Sequence, residues 1–146
     1  MKSVLLLLLL LALTACGVRP SGTIPGGPAP REEIAPGTTL FLLDGTTLTR
    51  VVRPAGTTPP LELLAAGPTS EELAEGLTTE IPPSAAPITM AMSADGVTVR
   101  ISSALKDLSS LAQAQLVCTA IPGQRRTVIL TDPTEKLPAQ RCPFRG

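Results

Sequence analysis

The sequence predicts an α+β fold: a small mixed β-sheet of two hairpins plus a final strand, packed with two or three short helices. Three observations carry this. Two pairs of apolar runs meet at Asp-Gly dipeptides, Asp44-Gly45 and Asp95-Gly96, a strong short-range hairpin signal. Short helical patterns bounded by Gly, Pro and capping residues lie between and after them. A last apolar run, Thr127 to Leu130, follows the longest helical pattern.

The chain of 146 residues opens on a segment that reads as a lipoprotein signal peptide, residues 1–15. Lys2 gives a positive start, and Val4 to Leu13 form an apolar run of about ten residues, where crossing a hydrocarbon core takes about 20. That length suits the apolar region of a signal peptide. The run ends Leu13-Thr14-Ala15-Cys16, which resembles the bacterial lipobox. A branched apolar residue and two small ones stand where a signal peptidase grips the chain, and a cysteine follows whose thiol can accept diacylglycerol. Cys16 is therefore expected to carry the lipid that holds the mature chain on the outer face of the cell membrane. Several acyl chains anchor far better than one, since a single chain at about 0.8 kcal/mol per buried methylene is marginal.

Residues 16–38 then read as the lipidated cysteine and a tether. Pro, Gly, Ala, Ser and Thr dominate, with too little apolar surface to fold.

The folded part is expected over residues 39–131. Leu40 to Leu43 is an apolar strand, turning at Asp44-Gly45 into a returning strand, Leu48 to Val52. Leu61, Leu63, Leu64 and Ala65 form a short helix stopped by Gly67 and Pro68. Thr69-Ser70-Glu71-Glu72 is a capping box, in which the Thr69 hydroxyl takes a backbone N–H and Glu72 reaches back. It opens a second short helix through Leu73 and Ala74 that ends near Gly76, and Ile81-Pro82-Pro83 turns out of it. In the second hairpin, Ile88, Met90 and Met92 alternate before Asp95-Gly96, and Val97, Val99 and Ile101 alternate after it. Leu108, Leu111, Ala112, Gln115 and Cys118 fall at helical spacing behind a Ser109 or Ser110 cap. Thr127 to Leu130 is the final strand, and Asp132-Pro133 begins an irregular tail, residues 132–146.

Composition narrows the function. Basic and acidic residues balance at 12 each, and the chain has no His, Trp or Tyr and only two Phe. A neutral chain has little attraction for polyphosphate, so no nucleic-acid partner is expected. Without His, the usual triads and zinc ligand sets are missing, and without Trp and Tyr so are the stacking platforms for sugars and bases. No cofactor and no metal site are expected. Abundant Ala, Gly, Pro, Thr and Arg with few Lys matches a GC-rich genome of actinobacterial type.

Three cysteines are odd for an exported protein, but lipid on Cys16 leaves Cys118 and Cys142 as a pair. Outside the cytoplasm such a pair favours a disulfide, the alternative being two separate thiols. Closing a loop of about 25 residues contributes on the order of 3 kcal/mol.

Leu64-Ala65-Ala66-Gly67-Pro68-Thr69-Ser70-Glu71-Glu72, followed by Gly76-Leu77 and Ile81-Pro82, resembles the most recognisable block of GerMN domains, the sporulation and spore-germination module. The flanks agree in order: a Phe-containing strand ending in Asp-Gly, the run Asp95-Gly96-Val97-Thr98-Val99 into Ser102, and a helix with Ala112-Gln113 to Val117. The likeness spans about residues 39 to 131. It implies an envelope lipoprotein and brings no catalytic residues with it. Larger proteins that share the module carry a β-propeller, which is not expected here, and the Asp-Gly often found near the family's end gives way to a tail bearing Cys142.

Several sharper motifs are weighed against plainer readings. Ser103-Ala104-Leu105-Lys106 fits S-x-x-K, the nucleophile motif of penicillin-recognising enzymes. Its companion motifs S-D-N and K-T-G are missing, so a small serine hydrolase using Ser103 and Lys106 is the alternative rather than the main expectation. The acidic cluster Glu71, Glu72, Glu75 and Glu80 is explained by acids that favour a helix start. Met90 and Met92 share a strand face and are expected in the core, since a copper site wants more soft ligands. The main expectation is a non-enzymatic binding module of the cell envelope. Its partners are the membrane, through Cys16, and an unidentified envelope protein or cell-wall component.

Overall fold

The computed structural model describes residues 37–94, 96–123 and 125–144. Cys16 and the leader lie outside the described residues. The elements run β1 (Gly37–Asp44), β2 (Thr47–Pro54), α1 (Pro60–Ala66), α2 (Ser70–Ala74), β3 (Leu77–Thr78), β4 (Thr89–Ser93), β5 (Gly96–Arg100), α3 (Ser110–Ala120) and β6 (Val128–Thr131). Short 3₁₀ turns cover Pro83–Ala85 and Leu105–Asp107. The fold is α+β.

Both hairpins form where their Asp-Gly signals stand. Asp44 pairs with Thr47, and Gly45 takes φ +59° in the first loop position, the place that favours glycine in a type II′ turn. In the second hairpin Ser93 pairs with Gly96, which already belongs to β5. The capping box of α2 is complete: Glu72 N donates to Thr69 Oγ1 at 3.3 Å, and Thr69 N donates to Glu72 Oε2 at 2.8 Å. Ser109 is the N-cap of α3, accepting from Ala112 N at 3.0 Å.

The sheet arrangement differs from the single mixed sheet expected. The described strands form two three-stranded sheets, β2-β1-β3 and β4-β5-β6, the second mixed because β6 runs parallel to β5. The reason lies at the second edge of β1. β3 covers only Leu43 and Asp44 there. The next outward-facing backbone groups, those of Phe41, are taken by α3: Phe41 N donates to Thr119 Oγ1 at 3.1 Å, and Gln115 Nε2 donates to Phe41 O at 2.9 Å. Two helical side chains thus stand in for missing strand residues at that point of the edge. Gln115 is fully buried and its Oε1 accepts from Glu80 N at 2.9 Å and from Thr79 Oγ1 at 3.4 Å, so both ends of its amide are used.

Packed against β1, β5, β6 and α1, helix α3 is the centre of the molecule. The core includes Leu42, Leu64, Val97, Val99, Ile101, Leu116, Val117 and Leu130. Met90 and Met92 do not join it. They are 47% and 64% exposed, because β4 is an edge strand whose five residues all lie at the surface. The strand and its alternation are present, but one apolar face of an edge strand reaches past the rim of the core.

Folded strand begins at Gly37, two residues ahead of the expected boundary, where β1 pairs with Pro54. The tail is irregular but docked. It bridges β6 through Val128–Gln140 and Thr131–Lys136, and a disulfide joins Cys142 to Cys118 with Cα atoms 4.7 Å apart.

Candidate functional site

A cleft of about 390 Å³ opens between the start of α1, the start of β4 and the end of α3. Its walls are Pro59, Pro60, Leu61 and Glu62 on one side, Ile88, Thr89 and Met90 on another, and Thr119 and Ala120 at the base of α3. The volume lies within the range of small-ligand and side-chain pockets.

Each wall has a local cause. Pro60 occupies the first position of α1, where its fixed φ suits a helix start and its missing N–H costs nothing. The same missing donor leaves the helix end poorly equipped to hold an anion. Ile88 and Leu61 are buried and form the apolar floor, whereas Met90 stands half exposed at the mouth. The Thr119 hydroxyl is committed to Phe41 N, so it offers the cleft chiefly its methyl side. Glu62 is the only charged residue in the lining and stands exposed at the rim. Such a surface receives an apolar group and offers one carboxylate and the Thr89 hydroxyl for orientation.

Close by, β2 is locked to the helices by one arginine. Arg53 Nε and Nη2 donate to Glu72 Oε1 and Oε2 at 2.9 and 2.6 Å, and Nη2 also donates to Gly67 O at 2.9 Å. Both side chains are largely buried. The guanidinium hydrogen bonds hold the Glu72 carboxyl below its ordinary range, against the opposing effect of burial. One glutamate therefore caps α2 and anchors β2. The Gly67–Glu72 block, conspicuous in the sequence, is a structural joint.

The other motifs separate. Ser103 Oγ is buried and makes no hydrogen bond, so Lys106, which is exposed, does not touch it. A lysine-activated serine needs that contact. The four glutamates of the acidic cluster do not converge: Glu72 binds Arg53, and Glu80 accepts from the Ser109 hydroxyl. Among the described residues no group of three or more His, Cys, Asp or Glu is placed to hold a metal ion. No helix among them is long and apolar enough to cross a membrane.

The cleft was not evident from sequence. Pro59 and Pro60 mark only a helix start, Thr119 and Ala120 end a helix, and their meeting with Ile88 depends on tertiary packing. Met90, which stands at its mouth, is expected from sequence in the core and gives no signal for it. Searches of protein-family models, of curated proteins and of solved structures find no match to this chain.

Proposed function

We propose that this chain is a lipoprotein anchored by lipid on the outer face of the cell membrane, whose GerMN-like domain binds an envelope partner through the cleft between α1, β4 and α3. The carrying observation is the lining: apolar side chains from three elements converge on one opening of about 390 Å³, with Met90 exposed at its mouth. Methionine is unbranched and polarizable, and it adapts to irregular apolar surfaces. The lining fits an apolar side chain of a partner protein, with Glu62 and Thr89 at the rim to orient it. Attachment rests on the lipobox-like run ending at Cys16, and the Pro- and Gly-rich stretch behind it suits a tether.

Two experiments test this reading. A photoreactive residue in place of Glu62, in the full chain in native membranes, is expected to yield a discrete adduct. Ala120→Phe, which fills the cleft from α3, should reduce that adduct at least tenfold. An adduct insensitive to Ala120→Phe, or one that a probe at Glu135 in the tail gives equally, counts against the cleft. For the anchor, Cys16→Ser should leave the precursor without lipid, and globomycin should block cleavage of the wild type. A mature chain free of lipid refutes the localisation.

A further inference from the structure

The sheet edges of the described residues are not equally protected. The outer strand β2 carries Arg50, Arg53 and Pro54, residues that discourage edge pairing. The outer edge of β6 is covered by the tail at Gln140 and Lys136. The outer edge of β4 has none of these devices. Thr89-Met90-Ala91-Met92-Ser93 has no charge, no proline and no break in register, and all five residues are exposed.

The register tells which backbone groups are free. Ser93 and Gly96 close a two-residue hairpin, so Ser93, Ala91 and Thr89 bond to β5 and the backbone groups of Met90 and Met92 face outward. The other side of β5 agrees: Val97 N, opposite Met92, donates away from β4 to Thr127 O at 3.0 Å. The strand is also nearly palindromic about Ala91, with methionine on either side and a hydroxyl residue at each end.

We propose that β4 pairs antiparallel with β4 of a second copy of this chain, in the register that sets Ala91 opposite its own counterpart. Met90 then faces the partner's Met92, and each such pair exchanges both N–H···O bonds. Thr89 falls opposite the partner's Ser93. The strand being neutral, no like charges meet across the two-fold axis. Met90 and Met92 lie opposite Val99 and Val97, which are buried, so their side chains stand on the core face of the sheet. Continuing the sheet across the two-fold brings the methionines of both copies together on that face and covers side chains now 47% and 64% exposed. The two clefts then open on the same side of a joined sheet. The pairing stands on the strand itself and does not depend on the cleft having a ligand.

Engineered cysteines in the full chain read the register directly. Ala91 and its counterpart form a non-hydrogen-bonded pair, for which Cα atoms sit about 4.5 Å apart, within the reach of a disulfide. Ala91→Cys is expected to give a covalent dimer under mild oxidation, above the wild-type baseline. Thr89→Cys and Ser93→Cys should each remain monomeric alone but crosslink when mixed. Adding Met92→Lys to Ala91→Cys should lower the crosslinked fraction several-fold. That residue is exposed, and an unchanged melting curve verifies the fold. The proposal is overturned if Ala91→Cys stays monomeric or joins a different protein. Equal crosslinking by all three cysteines, or dimers that survive Met92→Lys, also overturn it. Retention of the Glu62 photo-adduct in the Met92→Lys chain would separate failure of the dimer from failure of the cleft.

Discussion

Asp132 stands at the head of the tail with both carboxylate oxygens engaged. Oδ2 accepts from Leu105 N at 2.7 Å, while Oδ1 accepts from Thr134 N at 2.6 Å, from Thr134 Oγ1 at 2.8 Å and from Glu135 N at 2.7 Å. These donors, the Leu105 N–H foremost, hold its carboxyl well below the ordinary 3.8 and outweigh desolvation. A carboxyl whose folded pKa is depressed binds protons less readily folded than unfolded. Its contribution to stability is therefore present above the unfolded pKa and lost as pH falls below about 3.8 toward the folded value. Glu72, depressed from 4.5 mainly by its hydrogen bonds from Arg53, acts in the same direction. The melting temperature should hold from neutrality to about pH 5 and decline below that. Asp132→Asn should lower it at pH 7 and flatten the acid decline. Melting curves from pH 2.5 to 7 check this, and a mutant with the wild-type acid slope would remove Asp132 from the account. From sequence, Asp132-Pro133 reads only as the start of a tail. Its partners Thr134 and Glu135 are local and belong to the turn that Asp-Pro begins, but Leu105 N comes from a 3₁₀ turn 27 positions earlier, which no local pattern announces.

Among the elements, the second hairpin was legible because its chemistry is local: alternating apolar residues on both sides of Asp95-Gly96 define it without reference to the rest of the chain. What that signal lacks is the second reason for Gly96. At φ +143° it occupies backbone space that L side chains rarely adopt, and a Cβ there would sit 2.6 Å from Thr127 O. The glycine lets β5 approach the residue that leads into β6. Gly96→Ala is accordingly expected to cost about 2–4 kcal/mol. Gly56→Ala, where a Cβ meets nothing within 4 Å and φ is ordinary, should be near neutral. Urea midpoints of the two variants test the contrast, and equal midpoints would defeat it. The helices follow the same division. Their caps at Thr69 and Ser109 were readable because capping is local. The role of Gln115, closing the edge of β1 across 74 residues of sequence, was not. Nor was β3, two residues long and without a period to detect.

At the scale of the whole molecule, the tail connects the two sheets to α3. Gln140 N and O bond to Val128 on β6, Cys142 is tied to Cys118 on α3, and Phe144 meets Phe41 of β1 edge-on, with ring centroids 5.0 Å apart. The cysteine pair could be proposed by counting, once Cys16 is set aside for lipid. That the tail also serves as an edge cover and an aromatic clasp could not, since those contacts need both sheets in place. The disulfide spans 24 residues of sequence, and crosslinking a loop of that size restricts the unfolded chain by about 3 kcal/mol. Cys142→Ala removes the bridge while leaving Cys118 buried in α3. It should lower the urea midpoint by an amount corresponding to about 3 kcal/mol, and reduction of the wild type should do the same. Because the unbridged tail is then held mainly by its backbone bonds to β6 and by the Phe41–Phe144 contact, it should also open ahead of the core. Hydrogen exchange at Leu137 and Gln140, whose N–H groups donate to Leu130 O and Val128 O, reports that opening. Faster exchange at these two amides with little change at Leu116 and Val117 in α3 is the expected pattern. Uniform acceleration across tail and helix would show instead that the disulfide secures the whole fold and not the strap across its sheets.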